Sequence, residues 1–440
     1  MRKVEAGQPS PARQQMGRAR RWKPVLEGPL RERALAVTYS IAESLRRRAL
    51  REASLSGGTA GLAILYAYLA RARSGYGDQE IAMKFLSKAG GAMAATRMSP
   101  FFFGGFTGIA WVVADLERRL FDSESEDVCQ AIDEALGIYL SRPSWREEYD
   151  LVSGLVGYGV YALERLPQKS AVHCLKLVVS RLEEIAEHTK SGITWHTAPE
   201  LLPVATRKDF PLGYYDLGLA HGVPGVIALL GHVCAIRDKR LEAMRAKARL
   251  LLEGAVSWLL AQQPADRTHP FPYYTGPGMP PIPSRVAWCY GDLGIAVALL
   301  SAARCVRKRT WEREALLIGR RVAARPAEQS GVVDCGLCHG AAGAGHLFNR
   351  LFQATGEKCF STAARFWFKR LLEMRRPNQA IAGFFALMPA PRNPNEKQLI
   401  AAPGILEGAA GVALALLAAT TTIEPKWDRI LLLSGRSGPA

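Results

Sequence analysis

The sequence predicts an all-α protein, an α/α toroid (barrel) of seven inner and seven outer helices. Two observations lead there. A Gly-x-x-Gly step followed by an apolar run recurs seven times, with first glycines Gly58, Gly105, Gly154, Gly222, Gly291, Gly340 and Gly408. Segments with one apolar stripe alternate along the chain with segments that are apolar all round. Units that repeat at such a period bury a common core by stacking on their neighbours. A helix apolar on every side has to be enclosed, whereas a striped one can form an outer layer. Because each glycine step opens an inner helix, all seven steps belong at one mouth of the ring.

The elements follow in order. Residues 1–21 form a basic tail rich in Arg, Gln and Pro, expected to be disordered, and residues 22–440 are expected to form a single toroid domain. Over 30–51, Leu35, Val37, Ile41, Leu45 and Leu50 have helical spacing and predict an outer helix. The run 62–69 predicts the first inner helix, and 109–116, 226–230, 295–300 and 412–417 predict later ones. Successive steps lie 47–49 residues apart in three gaps and 68–69 in the other three, so the longer gaps hold insertions. Two of these, 269–283 and 388–404, are rich in proline and read as long loops, which beside a mouth often shape a site. Strand signals amount to Ile193-Thr194-Trp195 and Val332-Val333.

Bulk composition narrows the class. A chain of 440 residues, 48% hydrophobic, can bury a large core. Its net charge of +17 is spread along the sequence, and runs such as Arg46-Arg47-Arg48 read as solvated helix faces. No nucleic-acid module accompanies that charge, so nucleic acid is not an expected partner. The eight cysteines do not form the framework of a small disulfide-stapled fold. No apolar core of a secretory signal opens the chain and no run is long enough to span a membrane. The expected compartment is the cytoplasm, with membrane association only through partners.

Aligned on the first glycine, Cys289 and Cys338 occupy the position two before it, and His221 and His339 the position one before it. Equivalent positions in a closed repeat sit at equivalent places, so these side chains should converge. Cys289, Cys338 and His339 make a zinc set, since two thiolates and an imidazole leave a fourth position open. Cys129, Cys174, Cys234, Cys305 and Cys359 read as small buried hydrophobes, and Cys335 as a buried neighbour of the site. The Cys335-x-x-Cys338-His339 pattern also matches covalent haem attachment, which the repeat context disfavours. Asp150 could act at the site or cap a helix, Arg285 and Tyr290 flank Cys289, and Asp292 reads as a helix cap.

Three segments, Ala220-His221-Gly222-Val223-Pro224-Gly225, Trp288-Cys289-Tyr290-Gly291-Asp292 and Cys338-His339-Gly340, closely resemble the lanthionine synthetase C-like family. The similarity extends over nearly the whole chain. It implies an α/α toroid with one Zn2+ per chain on Cys289, Cys338 and His339, and active-site positions at His221, Asp150, Arg285 and Tyr290. It also implies a stand-alone lanthipeptide cyclase whose substrate is a dehydrated precursor peptide, with a dehydratase and a transporter as possible partners. Cysteine thiolates would add to dehydroalanine or dehydrobutyrine in a Michael-type reaction, with His221 or Tyr290 as proton donor. The alternative is a zinc-containing scaffold that binds peptide without turnover.

Overall fold

The structure is a computed structural model that describes residues 21–120, 127–264, 270–390 and 393–435. Most of the predicted basic tail, residues 1–20, lies outside the described residues, as does His269 in the proline-rich insertion.

Seven outer helices are found among the described residues: α1 (Gly28–Arg46), α3 (Asp78–Ala95), α5 (Gln130–Leu140), α7 (Lys169–Glu184), α9 (Glu242–Ala261), α11 (Arg309–Ala324) and α13 (Lys358–Glu373). Seven inner helices alternate with them: α2 (Thr59–Ala72), α4 (Phe106–Leu120), α6 (Leu155–Arg165), α8 (Val223–Cys234), α10 (Asp292–Cys305), α12 (Ala341–Thr355) and α14 (Ala409–Thr420). The layers differ as the sequence pattern requires. Every residue of α14 is buried, whereas α11 buries Trp311, Ala315, Ile318, Gly319 and Val322, one stripe at helical spacing.

Inner helices contact their neighbours in chain order, and α14 contacts α2, so the ring closes. Its seam is held by the chain's beginning: α1 packs on α14, Trp22 donates its indole N–H to the carbonyl of Ala418 at 2.8 Å, and Val25 N donates to Ala419 at 2.9 Å. At the helices' C-terminal ends the segment Lys426–Leu431 enters the lumen. There Trp427 stacks on His346, and Arg429 pairs with Asp115 and Glu164.

At the other end the seven glycine steps form one backbone circuit. The residue two before each first glycine accepts a hydrogen bond from the preceding loop: Ser56 N to Phe103 O, Phe103 N to Val152 O, Leu151 N to Ala220 O, Ala220 N to Cys289 O, Cys289 N to Cys338 O, and Cys338 N to Leu406 O. Ile405 N to Ser56 O, 2.7 Å, completes the circuit. The second glycine of each step is explained by close approach. A Cβ on Gly61 would stand 2.6 Å from the carbonyl oxygen of Leu55, and one on Gly225 2.5 Å from that of Leu219.

Several local expectations change. The insertion at 388–404 is a β-hairpin, β6 (Ala386–Ala390) with β7 (Asn393–Ile400), whose cross-strand pairing the prolines concealed in the sequence. Val332-Val333 is irregular, because neither residue finds a strand to pair with. Residues Ile193 and Thr194 do lie in a hairpin, β1 (Glu187–Thr189) with β2 (Gly192–Thr194). A three-stranded sheet, β3 (His196–Thr197), β4 (Tyr214–Asp216) and β5 (Tyr274–Thr275), joins two insertions. Cys129 and Cys174 are buried, but Cys234 and Cys305 are only partly so, and Cys359 is exposed on the first turn of an outer helix.

Candidate metal centre and active site

The backbone circuit determines which side chains meet. Cys289 and Cys338 sit in adjacent loops joined by the hydrogen bond from Cys289 N to Cys338 O, 3.2 Å. The next residue of the second loop is His339. The ligand atoms of Cys289, Cys338 and His339 all lie within 4.8 Å of one another, so the chain brings two soft thiol donors and one imidazole to a point. His339 Nε2 lies 3.0 Å from Asp334 Oδ2. A carboxylate so placed would orient the ring of a metal-bound His339 with Nδ1 as its ligand nitrogen. The hydrogen bond from Cys338 holds the Cys289 thiol well below the usual range against burial, while Cys338 is pushed well above it. Two thiols and one imidazole are a donor set that fits zinc on chemical grounds. Cys335 is buried and its thiol donates to the carbonyl of Phe385 at 2.8 Å, outside the Cys289, Cys338 and His339 set.

His221 occupies the register of His339 two repeats earlier. Its Nδ1 is 2.5 Å from Asp150 Oδ2, and 41% of its side chain remains exposed at the mouth. Burial among protein groups disfavours the imidazolium, yet the hydrogen bond and charge of Asp150, with Asp216 and Cys289, lift His221 to about 9. Asp150 is in turn fixed by Ser153, whose N–H donates to Oδ1 at 2.7 Å. Tyr290 stacks on His221 at 5.9 Å between ring centres and donates its hydroxyl to Asp216 Oδ2 at 2.7 Å. Burial, then the charge of Asp216, raises the Tyr290 phenol well above its ordinary value. Arg285, four residues before Cys289, acts on that thiol through its charge, and its Nε is buried without a protein hydrogen-bond partner.

Asp292 departs from expectation. The helix is capped by Gly291, with φ +132°, and Asp292 is already the first helical residue. Its carboxylate accepts from Phe271 N at 2.8 Å and pairs with Arg325, so it ties an insertion to the ring instead of capping.

Three residues escaped the sequence reading: Asp216, Asp334 and Glu407. The signal was the register itself. Asp216 and Asp334 both lie six before a first glycine, each in an Asp-x-Gly pattern whose glycine N–H donates back to Oδ1. Glu407 lies one before Gly408, the position held by His221, Tyr290 and His339 in the three preceding repeats, and its Oε1 is 3.6 Å from His339 Nδ1. Burial raises Asp216 to about 6 and Glu407 to about 7, and Glu148, again six before a glycine, to about 7.

The sequence profile described as lanthionine synthetase C-like protein matches residues 50–432. The chain belongs to that family. No curated protein matches it in sequence. Among solved structures, nisin cyclase superposes with a TM-score of 0.71 at 17% identity, over 92% of this chain and 98% of that one. At that identity the match speaks for the fold, and this lanthionine synthetase C-like protein shares the α/α toroid. No helix among its described residues is long and apolar enough to cross a membrane.

Proposed function

We propose that this family member is a zinc-dependent lanthipeptide cyclase, which adds cysteine thiolates to dehydroalanine or dehydrobutyrine within one peptide to form thioether rings. The observation that carries the reading is the meeting of two kinds of group at one mouth: a two-thiol, one-imidazole donor set and a carboxylate-held imidazole. Zinc held by Cys289, Cys338 and His339 would supply Lewis acidity, lowering the pKa of a substrate thiol so that thiolate is present near neutral pH.

The chain's own residues account for the rest. When the substrate sulfur bonds to the alkene β-carbon, the C=C π pair moves toward the carbonyl oxygen and an enolate develops. Arg285 offers fixed positive charge to that oxygen. The α-carbon then takes a proton, and His221 is the group to give it. Asp150 engages Nδ1 and keeps the ring protonated, so the Nε2 edge faces the open mouth. Tyr290, the other acid considered, spends its hydroxyl proton on Asp216 and is a poorer donor. Asp150 and Asp216 are positioning residues. Sulfur and alkene belong to one chain held in one mouth, so closure is intramolecular. The alkene must come from a dehydratase acting earlier, which we take as a functional partner; a transporter remains a further candidate partner, and a cytoplasmic location the expected one.

The test is metal content together with ring closure of a dehydrated, Cys-containing peptide, followed by thiol alkylation and mass spectrometry because closure leaves mass unchanged. One zinc per chain and loss of free thiol is the expected result. Stoichiometric zinc with no closure on any dehydrated peptide would replace the cyclase reading with that of a peptide-binding scaffold.

A further inference from the structure

Five aromatic rings make a continuous line outward from the active site. Tyr290, stacked on His221, meets Tyr273 at 5.5 Å between ring centres; Tyr273 meets Tyr274 at 6.5 Å; Tyr274 meets Tyr214 at 5.2 Å and Phe210 at 4.9 Å. All five are half-buried, whereas the largest aromatic side chains of the toroid, such as Trp111 and Trp288, are fully enclosed. The outer four rings come from the two insertions that flank repeat four. Those insertions are locked together by the pairing of Asp216 with Tyr274 across β4 and β5, and by the hydrogen bond from Leu217 N to Tyr273 O, 3.0 Å. The same Asp216 accepts the Tyr290 hydroxyl, so one residue couples this wall to the site.

Carboxylates stand beside the outer rings. Burial, then the carboxylates of Asp216 and Glu148, pushes the Tyr214 phenol up, and Asp209 contributes the same way at Tyr274. These three carboxylates therefore act on the rings, in a chain whose net charge is +17. Aromatic faces and carboxylates together suit one kind of side chain, a cation that stacks on the ring and sees negative charge beside it.

We propose that the wall from Tyr290 to Phe210 is a track for the peptide substrate, recognising a lysine or arginine in the extended segment next to the reacting residues. The occupant rests on the cyclase reading above only in being a peptide that enters this mouth. The wall is continuous with the site, and its spacing lets alternate side chains of an extended strand meet successive rings.

Binding can be read without turnover. A fluorescein-labelled short peptide, with alanine in place of the dehydro residue and serine in place of cysteine, carries either lysine or the uncharged isostere norleucine a few positions from the serine. Fluorescence anisotropy should show the lysine peptide bound about three- to ten-fold more tightly. Tyr274→Ala should erase that preference and Tyr274→Phe keep it, both variants retaining wild-type helicity and metal content. Equal affinity for the two peptides, or a lysine preference that survives in a Tyr274→Ala/Tyr214→Ala double variant, overturns the track. Ring closure of a short dehydrated peptide lacking lysine is measured alongside. Closure without a ring-dependent lysine preference sinks the track alone, and a Tyr274-dependent preference without closure sinks the cyclase reading alone.

Discussion

Repeats one and two and repeats four to seven share one backbone and differ in what they display on it. One residue before the first glycine, the first two repeats carry Gly57 and Gly104, while the last four carry His221, Tyr290, His339 and Glu407. The hydrogen-bond circuit passes through both sets without interruption. Scaffold and chemistry are therefore separable. The circuit fixes where a side chain will stand, and the residue type at that place decides whether the place does anything.

Variants can break or sharpen this contrast. The largest effect is expected for Cys338→Ala, which should abolish stoichiometric metal by elemental analysis and slow ring closure roughly a hundredfold or more, since loss even of an outer-shell partner costs ten- to a hundredfold. His221→Ala, two repeats earlier, should keep the metal and slow closure by roughly 10²–10⁴. That pair of results separates metal holding from proton delivery at neighbouring positions of the repeated glycine step.

On the bare side of the ring, Gly108→Ala would thrust a methyl into the carbonyl of Phe102, backbone that has no room to yield. Denaturant unfolding should show a loss of about 3 kcal/mol or more, although the residue is remote from the metal set. The effect would show that the circuit belongs to the whole ring.

Asp150→Asn should act through pH. His221, faced by Asp150, Asp216, Tyr290 and Cys289, is held protonated up to about 9. Its ordinary value is near 6.5. Stability from the Asp150–His221 pair is thus complete below the unfolded value and is lost as pH rises through about 9. In the wild type the rate of closure should fall above about 9; in the asparagine variant that alkaline limb should move toward the ordinary imidazole value, which rate–pH profiles will read directly. Smallest of all is Gly104→Ala. Its Cβ would meet nothing within 4 Å, so stability should change by less than about 0.5 kcal/mol, with metal and closure unaltered.

Much of the arrangement is legible in the residues. The alternation of striped and wholly apolar helices is a local signal, written every three or four residues, and it led directly to two concentric layers. The glycine steps carried the register, and with it the convergence of Cys289, Cys338 and His339. The β6–β7 hairpin was not legible, because Pro389 and Pro394 within its strands mask a pairing that depends on the partner strand. Asp292 was misread for a related reason: a carboxylate at a helix start has an obvious local role, while Phe271 N and Arg325 are 21 and 33 residues away.

By itself, then, the sequence determined the seven inner and seven outer helices of the ring and the repeat position at which soft donor side chains occur, since each depends on periodicity that neighbouring residues express. Only the tertiary structure decided that Asp216 holds Tyr290, that Asp334 holds His339, that Glu407 completes the rim and that two distant insertions share one sheet. Except for Asp334 and His339, which share one loop, those are contacts between loops tens of residues apart, brought together when the ring closes and Trp22 docks on Ala418, and no local pattern in a chain encodes which distant side chain a carboxylate will face.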